Sequence, residues 1–178
     1  MTSTLGRVMR YTLRRCTDGD RAWAYALKSE AYREVVERQF GPWNEEFQRR
    51  LFEEHWKPTL SNVVVVDREA VGLVAVEARG DCLWLREIQV AFGWRGKGIG
   101  NAIIKDLIGR AHAGHQPLRL QVLKGNERAQ RFYRRHGFRI IGETDTHILM
   151  ESQLGPNEAS ESTLLPAALD ARKELGPR

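Results

Sequence analysis

The chain alternates between two hydrophobic patterns, one with a period of two residues and one with the spacing of a helix. Alternating or β-branched apolar stretches predict strands at residues 11–16, 62–66, 70–78, 82–92, 118–122, 138–142 and 147–150. Apolar residues at helical spacing predict helices that start near residue 18 and cover residues 30–40, 44–56, 99–113 and 125–137. This order of elements predicts a single α/β (α+β) domain with a mixed sheet.

Individual residues indicate where the predicted helices begin and end. Asp18 is predicted to cap the first helix, because a carboxylate can accept a hydrogen bond from the unpaired amides of a first turn. Gly41-Pro42 separates the next two helical stretches, since this dipeptide is a strong helix breaker. Gly137 stands where a glycine commonly follows the last turn of a helix.

The composition narrows the class of protein. With 178 residues, 42% hydrophobic and 29% charged, the chain is typical of one soluble globular domain. No apolar run approaches the roughly 18 residues of a membrane helix, so we expect no membrane partner. Two cysteines without metal-ligand spacing, Cys16 and Cys82, favour a reducing cytoplasm. We expect a disordered lead-in over residues 1–10, a folded domain over residues 11–154 and a flexible tail over residues 155–178.

The charge is mildly basic, with 28 Lys and Arg against 23 Asp and Glu. Most basic residues are interleaved with acidic ones, which argues against a nucleic-acid partner. The densest cluster, Arg131, Arg134 and Arg135, lies on a predicted helix, where a solvated face explains it. The spacing of His136 and His147 fits no metal pair, so no metal is expected.

A glycine-rich segment joins the strand at residues 82–92 to the following helix. The unpaired amides of a helix N-terminus favour an anion, and glycine keeps side chains out of its way. Gly96, Gly98 and Gly100 are spaced by two, which excludes the common dinucleotide and nucleoside-triphosphate loops. The segment therefore predicts a phosphate-bearing ligand, and the alternative is a tight turn that needs only the conformations of glycine.

Two segments carry a resemblance to a known family. The segment from Arg95 to Gly100 fits [QR]-x-x-G-x-[GA], which resembles the acetyl-CoA pyrophosphate loop of the GNAT superfamily. Asn126 to Phe138, which begins 26 residues after Gly100, resembles the second GNAT signature, N-x-x-A-x-x-F-Y-x-x-x-G-F. The resemblance implies a GNAT-like, mostly antiparallel sheet of about seven strands flanked by helices. It also implies acetyl-CoA as the co-substrate.

The resemblance implies a set of residues that contact acetyl-CoA. Backbone groups of Gln89 and Val90 are expected to pair with the pantetheine arm. The residues expected at the pyrophosphate and the neighbouring part of the cofactor are Arg95, Gly96, Lys97, Gly98, Ile99, Gly100, Asn101 and Asn126. Asn126 has a second interpretation that is compatible with the first, because asparagine is a common helix cap.

Two side chains have candidate roles in the reaction, the first from the resemblance and the second from its place in the sequence. Tyr133 is expected beside the thioester sulfur, where it protonates the departing thiolate; the alternative is a core tyrosine with its hydroxyl at the surface. Glu87, a lone carboxylate in an apolar strand, is the candidate base, because burial makes a carboxyl group hold a proton more tightly. A structural ion pair, or a water chain in place of a discrete base, remains open for Glu87. Direct transfer in a ternary complex is favoured, since neither cysteine has an evident histidine partner.

The acceptor is defined only as a primary amine of a small molecule or peptide. By resemblance its wall comes from residues 30–56 and the last strand pair. The residues that could make an aromatic and acidic pocket for a cationic amine are Tyr32, Trp43, Glu45, Glu46 and Trp84. The same residues could equally be core and solvated face. A homodimer is also open, as is a second function, a non-catalytic acyl-CoA sensor or interaction module.

Overall fold

The computed structural model describes residues 10–153, which form a sheet with helices on both faces. The strands are β1 Thr12–Arg15, β2 Ser61–Val66, β3 Glu69–Arg79, β4 Cys82–Val90, β5 Leu118–Leu123, β6 Phe138–Glu143 and β7 His147–Ser152. The helices are α1 Arg21–Phe40, α2 Glu45–His55, α3 Ile99–Ala113 and α4 Glu127–Arg135. The predicted lead-in, apart from Arg10, and the predicted tail lie outside the described residues.

The seven strands form one sheet in the order β1-β2-β3-β4-β5-β7-β6. All neighbouring strands are antiparallel except β4 and β5, which run parallel. The chain path accounts for the parallel pair. After β4 the helix α3 returns the chain along one face of the sheet, so that β5 begins at the same end as β4 and runs in the same direction. The predicted mixed, mostly antiparallel sheet of about seven strands flanked by helices is confirmed.

Each face of the sheet buries its own apolar cluster. On one face Ile104 of α3, Tyr133 of α4 and Met150 of β7 belong to one cluster of buried side chains. On the other face Tyr25 of α1 and Phe52 of α2 belong to a second cluster and meet edge to face, with 5.3 Å between ring centres. The sheet therefore separates the two clusters, and the direction of a strand residue's side chain determines which cluster it joins.

The only parallel pairing within residues 10–153 is short. Leu83–Leu85 of β4 pairs with Leu118–Leu120 of β5, although β4 runs on to Val90 and β5 to Leu123. The last residues of both strands therefore diverge and open a cleft of about 1310 Å³. The cleft is lined by both strands, by α1 and by the N-terminal turns of α3 and α4.

A β-bulge lies where the two strands separate. Leu85 is opposite Val76 and Glu87 is opposite Ala75, so Arg86 is an extra residue in β4. A bulge bends its strand and lets two residues oppose one on the neighbouring strand. Because of it, the β4 side chains that pack toward α3 are Leu83, Leu85, Ile88 and Val90, with a step of three residues at the bulge.

Three details of the sequence prediction are wrong. Residues 21–40 form one continuous helix, because no glycine or proline interrupts them. Asp18 does not cap that helix; it starts a short 3-10 turn, and the Asp20 carboxylate accepts the Thr17 N–H at 2.8 Å. The strand predicted to reach Phe92 ends at Val90, and residues 92–94 form another 3-10 turn.

Candidate active site

The open edge of β4 presents its backbone to the cleft. The Ala91 N–H donates to the Val71 carbonyl of β3 at 2.9 Å. Since backbone groups of successive residues point to opposite edges of a strand, the N–H and C=O of Val90 point toward the diverging strand β5. The Val90 carbonyl accepts a hydrogen bond from Arg95 Nε at 2.8 Å. The Val90 N–H is thus directed into the cleft, close to the start of the glycine loop.

Glycine conformations shape the loop between β4 and α3. Gly96 and Gly98 have φ angles of 76° and 87°, a region that other residues rarely adopt. A Cβ atom added to Gly96 would meet no protein atom within 4 Å, so the space beside it is open. Gly98 is the N-cap of α3, and the amides of the first turn have no intrahelical partner. Open space and unpaired amides therefore lie side by side at this end of the cleft, where the sequence predicts a bound anion.

The two basic residues of this loop differ in their surroundings. Arg95 lines the cleft, braces the loop through Val90, and pairs with Glu30 of α1 at 3.5 Å. Lys97 is exposed, and its ammonium lies 4.4 Å from the centre of the Trp94 ring. Among the described residues, Arg95 belongs to the lining and Lys97 does not. The remaining loop residues, Gly96, Gly98, Ile99, Gly100 and Asn101, all line the cleft.

Helix α4 brings two predicted residues to the cleft. The Asn126 side chain accepts the Ala129 N–H at 3.1 Å, so its interpretation as a helix cap is confirmed. Tyr133 lines the cleft but is buried, with 7% of its surface exposed. Burial raises the pKa of Tyr133 above its usual value, and the negative charge of Glu87 raises it further. The phenol therefore remains protonated at neutral pH.

Glu87 is half-buried and already has partners. Its carboxylate lies 3.2 Å from the Lys28 ammonium of α1 and accepts the Gln89 side-chain amide at 2.8 Å. The expectation of a lone carboxylate among apolar side chains is therefore wrong, because helix α1 covers this part of β4. An ion pair with Arg86 is not formed either, since Arg86 binds Glu77 instead.

Tyr32 of α1 completes a polar cluster with Glu87 and Gln89. Its phenol is close enough to both side chains for them to influence its ionisation. Burial raises the pKa of Tyr32 well above its usual value, and the negative charge of Glu87 and the neighbouring Tyr133 act in the same direction. The two phenols and one carboxylate thus share one electrostatic environment at the centre of the cleft.

Helix α1 connects the two arms of the divided sheet. Near β4, Glu30 accepts the Phe92 N–H at 2.6 Å. Near β5, the side chain of Gln39 accepts the Gly125 N–H at 2.8 Å and donates to the Thr146 carbonyl at 2.9 Å. The helix therefore spans the gap between the diverging strands and covers it from one side.

A comparison with protein families identifies the chain. The sequence model of the acetyltransferase (GNAT) family matches residues 28–138, which include β4, the glycine loop, α3, β5 and α4. The chain belongs to the GNAT acetyltransferase family. Membership supports an acyltransferase activity with acetyl-CoA as the donor, and the matched range contains both predicted motifs.

Solved GNAT structures share the fold of this chain. The PaiA N-acetyltransferase from Thermoplasma acidophilum, solved with coenzyme A, has a TM-score of 0.67 at 16% identity, covering 82% of this chain and 99% of that one. The ribosomal-protein-S18-alanine N-acetyltransferase from Escherichia coli has a TM-score of 0.60 at 19% identity, covering 88% of this chain and all of that one. At these identities the likeness shows the fold alone. No curated protein sequence is significantly similar to the chain.

The acceptor region of this GNAT domain differs from the acidic pocket predicted for it. Tyr32, Trp43 and Trp84 line the cleft, whereas neither Glu45 nor Glu46 belongs to its described lining. Glu45 accepts hydrogen bonds from Tyr25 and Trp43, both at 2.8 Å, and pairs with two arginines of α1 and α2. Its position at the start of α2 turns it toward these partners, so the acidic part of the prediction is wrong.

The other reactive side chains of the GNAT domain lie apart from this chemistry. Cys16 and Cys82 are free and buried, and neither lines the cleft. Within residues 10–153, no group of three or more His, Cys, Asp and Glu side chains is arranged to hold a metal ion. In the same range no helix is both long and apolar enough to cross a bilayer.

Proposed function

We propose that the chain transfers an acetyl group from acetyl-CoA to a primary amine by direct attack within a ternary complex. One observation carries the proposal: the divergence of β4 and β5 opens a single cleft that is lined by the edge of β4, the glycine loop and Tyr133. The reaction needs groups that bind the thioester, groups that hold the phosphates and a proton donor, all in one place. This cleft offers residues for each of these tasks.

The donor has a matching set of protein groups. The Val90 backbone offers an unpaired strand edge for the pantetheine amides, and its N–H is suited to polarise the thioester carbonyl. The backbone of its neighbour Gln89 faces Leu73 of β3, so Gln89 would contact the donor only through its side chain, which lines the cleft. The open space at Gly96 and the amides at the start of α3 suit the pyrophosphate, because partial positive charge collects there. The residues that would frame the rest of the donor are Arg95, Ile99, Gly100, Asn101 and Asn126, with Lys97 exposed outside the lining of the cleft.

The net reaction moves one proton from the amine nitrogen to the sulfur, and two side chains suit these transfers. Glu87 accepts a proton from the attacking amine, and Tyr133 donates one to the departing thiolate. The negative charge of Glu87 raises the pKa of Tyr133. Protonation of Glu87 removes that charge and makes the phenol a stronger acid at the moment when the thiolate forms. The two steps are thereby coupled electrostatically.

A comparison of pKa values sets a limit on the role of Tyr133. A thiol has a pKa of about 8.5 and a free phenol about 10, so a tyrosine with a raised pKa keeps its proton in preference to a thiolate. Tyr133 therefore stabilises the thiolate mainly by donating a hydrogen bond. A proton that passes from Tyr133 to sulfur is replaced by the proton that Glu87 took from the amine, which returns both side chains to their starting states. The raised pKa also explains why the Tyr133 phenol stays neutral in the resting protein.

Two measurements on the full chain test the proposal. Acetyl-CoA should raise the melting temperature, because a ligand that binds only the folded state stabilises it by RT ln(1 + [L]/Kd). Amine acceptors should release free thiol from acetyl-CoA, with the acetyl group recovered on nitrogen by mass spectrometry. Stabilisation without thiol release from any amine would favour the non-catalytic sensor. Absence of stabilisation at hundreds of micromolar acetyl-CoA would contradict both functions.

A further inference from the structure

The charged side chains that line the cleft are mostly basic. Within the described part of the chain, eight Lys and Arg residues and three Glu residues belong to the lining. The basic residues are Lys28, Arg38, Lys57, Arg79, Arg86, Arg95, Arg128 and Arg135, and the acidic residues are Glu30, Glu34 and Glu87. Like charges repel, so this lining favours a ligand that carries negative charge over one that carries only positive charge.

The three glutamates offset only three of the eight cations, because each is paired with one of them, and five basic residues of the lining are left without a glutamate of the lining as partner. Glu30 pairs with Arg95, Glu34 with Arg38 and Glu87 with Lys28. Some of the basic residues line the part of the cleft beside the glycine loop and α4, where the phosphates of the donor would neutralise them. Lys28, Arg79 and Arg86 lie instead on α1 and on β3 and β4, beyond the loop.

Of Lys28, Arg79 and Arg86, Arg86 has the most N–H groups without a hydrogen-bond acceptor among the described residues. Its side chain is only 19% exposed, and Nη1 donates to Glu77 Oε2 at 3.1 Å. The same carboxylate oxygen also accepts from Nε and Nη2 of Arg79, at 3.0 and 2.9 Å. One carboxylate thus serves two guanidinium groups, which leaves one positive charge in excess. Within residues 10–153 no protein group accepts from Nε or Nη2 of Arg86.

The bulge in β4 brings Arg86 to the same side of the sheet as Glu87. Adjacent residues of a regular strand point to opposite faces, but a bulge allows two in succession to share one. Arg86 contacts Glu77, which is paired with Trp84 in the register of β3 and β4, and Glu87 contacts Lys28 of α1. Arg86, whose charge is only partly balanced, and the candidate base Glu87 are therefore consecutive in the chain and lie on the same side of the sheet.

Trp84 adds an apolar surface to this site. It lines the cleft, and the Arg79 guanidinium stacks on its ring at 4.6 Å from the centre. This stacking directs Arg79 along the indole, so that Arg86 is the guanidinium with free donors beside the candidate base. A planar guanidinium binds carboxylate and phosphate oxygens through two parallel hydrogen bonds.

We propose that the acceptor carries an oxyanion, a carboxylate or a phosphate, close to its primary amine, and that Arg86 binds this group. This inference rests on the proposed function, because it concerns the acceptor of the same reaction. The amine lies at Glu87, while the oxyanion occupies the free side of the Arg86 guanidinium. Polyamines and aminoglycosides, which offer only cationic groups, are poor acceptors in such a site.

Matched acceptors test the proposal in the thiol-release assay with the full chain and acetyl-CoA. Amino acids are compared with their carboxamides and with the amines left after decarboxylation, and phosphoethanolamine is compared with ethanolamine. The oxyanion member of each pair should have a kcat/KM roughly 10- to 100-fold higher, the range for a charge-assisted hydrogen bond. Preference within the first set alone identifies a carboxylate, and preference within the second set alone identifies a phosphate.

Variants assign the preference to Arg86. Arg86→Gln should remove most of it, chiefly through a higher KM for oxyanion acceptors, while the neutral analogues and the affinity for CoA stay unchanged. Arg86→Lys should retain part of it, because the charge remains and the paired donors are lost. Arg139→Gln is the matched control, since Arg139 is 63% exposed on β6, binds Glu151 and does not line the cleft.

The outcomes separate this inference from the function on which it rests. If acetyl-CoA binds and neutral or cationic amines are acetylated as well as their oxyanion partners, the oxyanion site is wrong and the transferase stands. If acetyl-CoA does not bind, the proposed function itself fails. If the donor binds and no acceptor of the panel is turned over, melting temperatures measured with CoA and each oxyanion compound decide. A further rise that Arg86→Gln removes supports the site, and no rise overturns it.

Discussion

The cleft has a donor side and an acceptor side that are built from different parts of the polypeptide. The donor side, formed by the edge of β4, the glycine loop and the first turns of α3 and α4, presents mainly backbone groups. Gly96 and Gly98, with φ angles of 76° and 87°, give it its shape. The acceptor side, formed by α1, α2 and the β4 residues that face them, presents side chains such as Lys28 and Arg86.

This difference has a consequence for specificity. Backbone amides are the same whatever the side chains are, so a donor site made from them depends on conformation and changes little with substitution. A site made from side chains can change its ligand with one or two substitutions. We therefore expect variants of the donor side to lose rate or donor affinity for every acceptor, and variants of the acceptor side to discriminate among acceptors.

The largest effect is expected for Tyr133→Phe, on the donor side. Loss of the phenol should lower kcat on the order of 10²-fold for all acceptors, the range for a general acid, with unchanged affinity for CoA. Steady-state kinetics and a CoA titration measure the two quantities. Tyr11→Phe is the control, because the Tyr11 hydroxyl donates to Asp106 outside the lining of the cleft. An unchanged kcat in Tyr133→Phe would remove Tyr133 from the mechanism.

The loop is tested by Gly96→Ala against Gly137→Ala. Both glycines have positive φ, 76° and 80°, and an added Cβ would meet no protein atom within 4 Å at either position. Both variants should lose about 1–2 kcal/mol of unfolding free energy, the cost of this conformation for alanine. Only Gly96→Ala should also weaken CoA binding, roughly 10- to 100-fold, because its methyl group displaces phosphate from charge-assisted hydrogen bonds. Equal CoA affinities in the two variants would make the loop a turn only.

A smaller, selective effect is expected for Gln39→Ala, where α1 is attached to the β5 arm. The variant leaves the Gly125 N–H without its partner, which should lower the unfolding free energy by about 1–2 kcal/mol. The KM for the acceptor should rise a few-fold while CoA affinity stays constant, because α1 belongs to the acceptor side. Gln116→Ala, a half-buried glutamine between α3 and β5, is the control. A rise in the Kd for CoA would show that the two sides are not separable.

The smallest effect is a shift in tyrosine ionisation, measured by ultraviolet absorbance from about pH 10 upward to the pH at which the protein unfolds. The pKa values of Tyr32 and Tyr133 are raised above about 10, partly by the charge of Glu87. Their contribution to stability is therefore present below about pH 10 and is lost as the pH rises further. Glu87→Gln should move the ionisation of both to lower pH, and Glu77→Gln should not. Superimposable titrations would mean that the two sides do not share the charge of Glu87.

The donor side could be predicted from the sequence because its requirements are local. Glycines at a fixed spacing and a helix cap at Asn126 depend on residues next to one another in the chain, and α3 has the bounds that its periodicity predicts. The order of strands and helices was also predictable, since each element follows from its own pattern. Where the prediction divided residues 18–40 between two helical stretches, the pattern gave no break, and the structure has none after Arg21.

The acceptor side could not be predicted in the same way, because its contacts join distant parts of the chain. Lys28 meets Glu87 across 59 residues, and Gln39 meets Gly125 across 86. The sequence reveals that Glu45 is acidic but gives no direction for its side chain, which turns toward arginines of α1 and α2. The bulge at Arg86 depends on the pairing of β3 with β4, and nothing in the local sequence of β4 indicates it.

The bulge at Arg86 also changes the spacing of charged residues along one side of β4. Consecutive Cα atoms are about 3.8 Å apart, so the backbone positions that carry the cation and the carboxylate lie closer together here than on one side of a regular strand. In a regular strand the nearest pair on one side would be two residues apart, about 6.6 Å. One additional residue thus places a guanidinium and a carboxylate on the same side of the sheet without a residue between them, where one small molecule with groups of both charges can contact both.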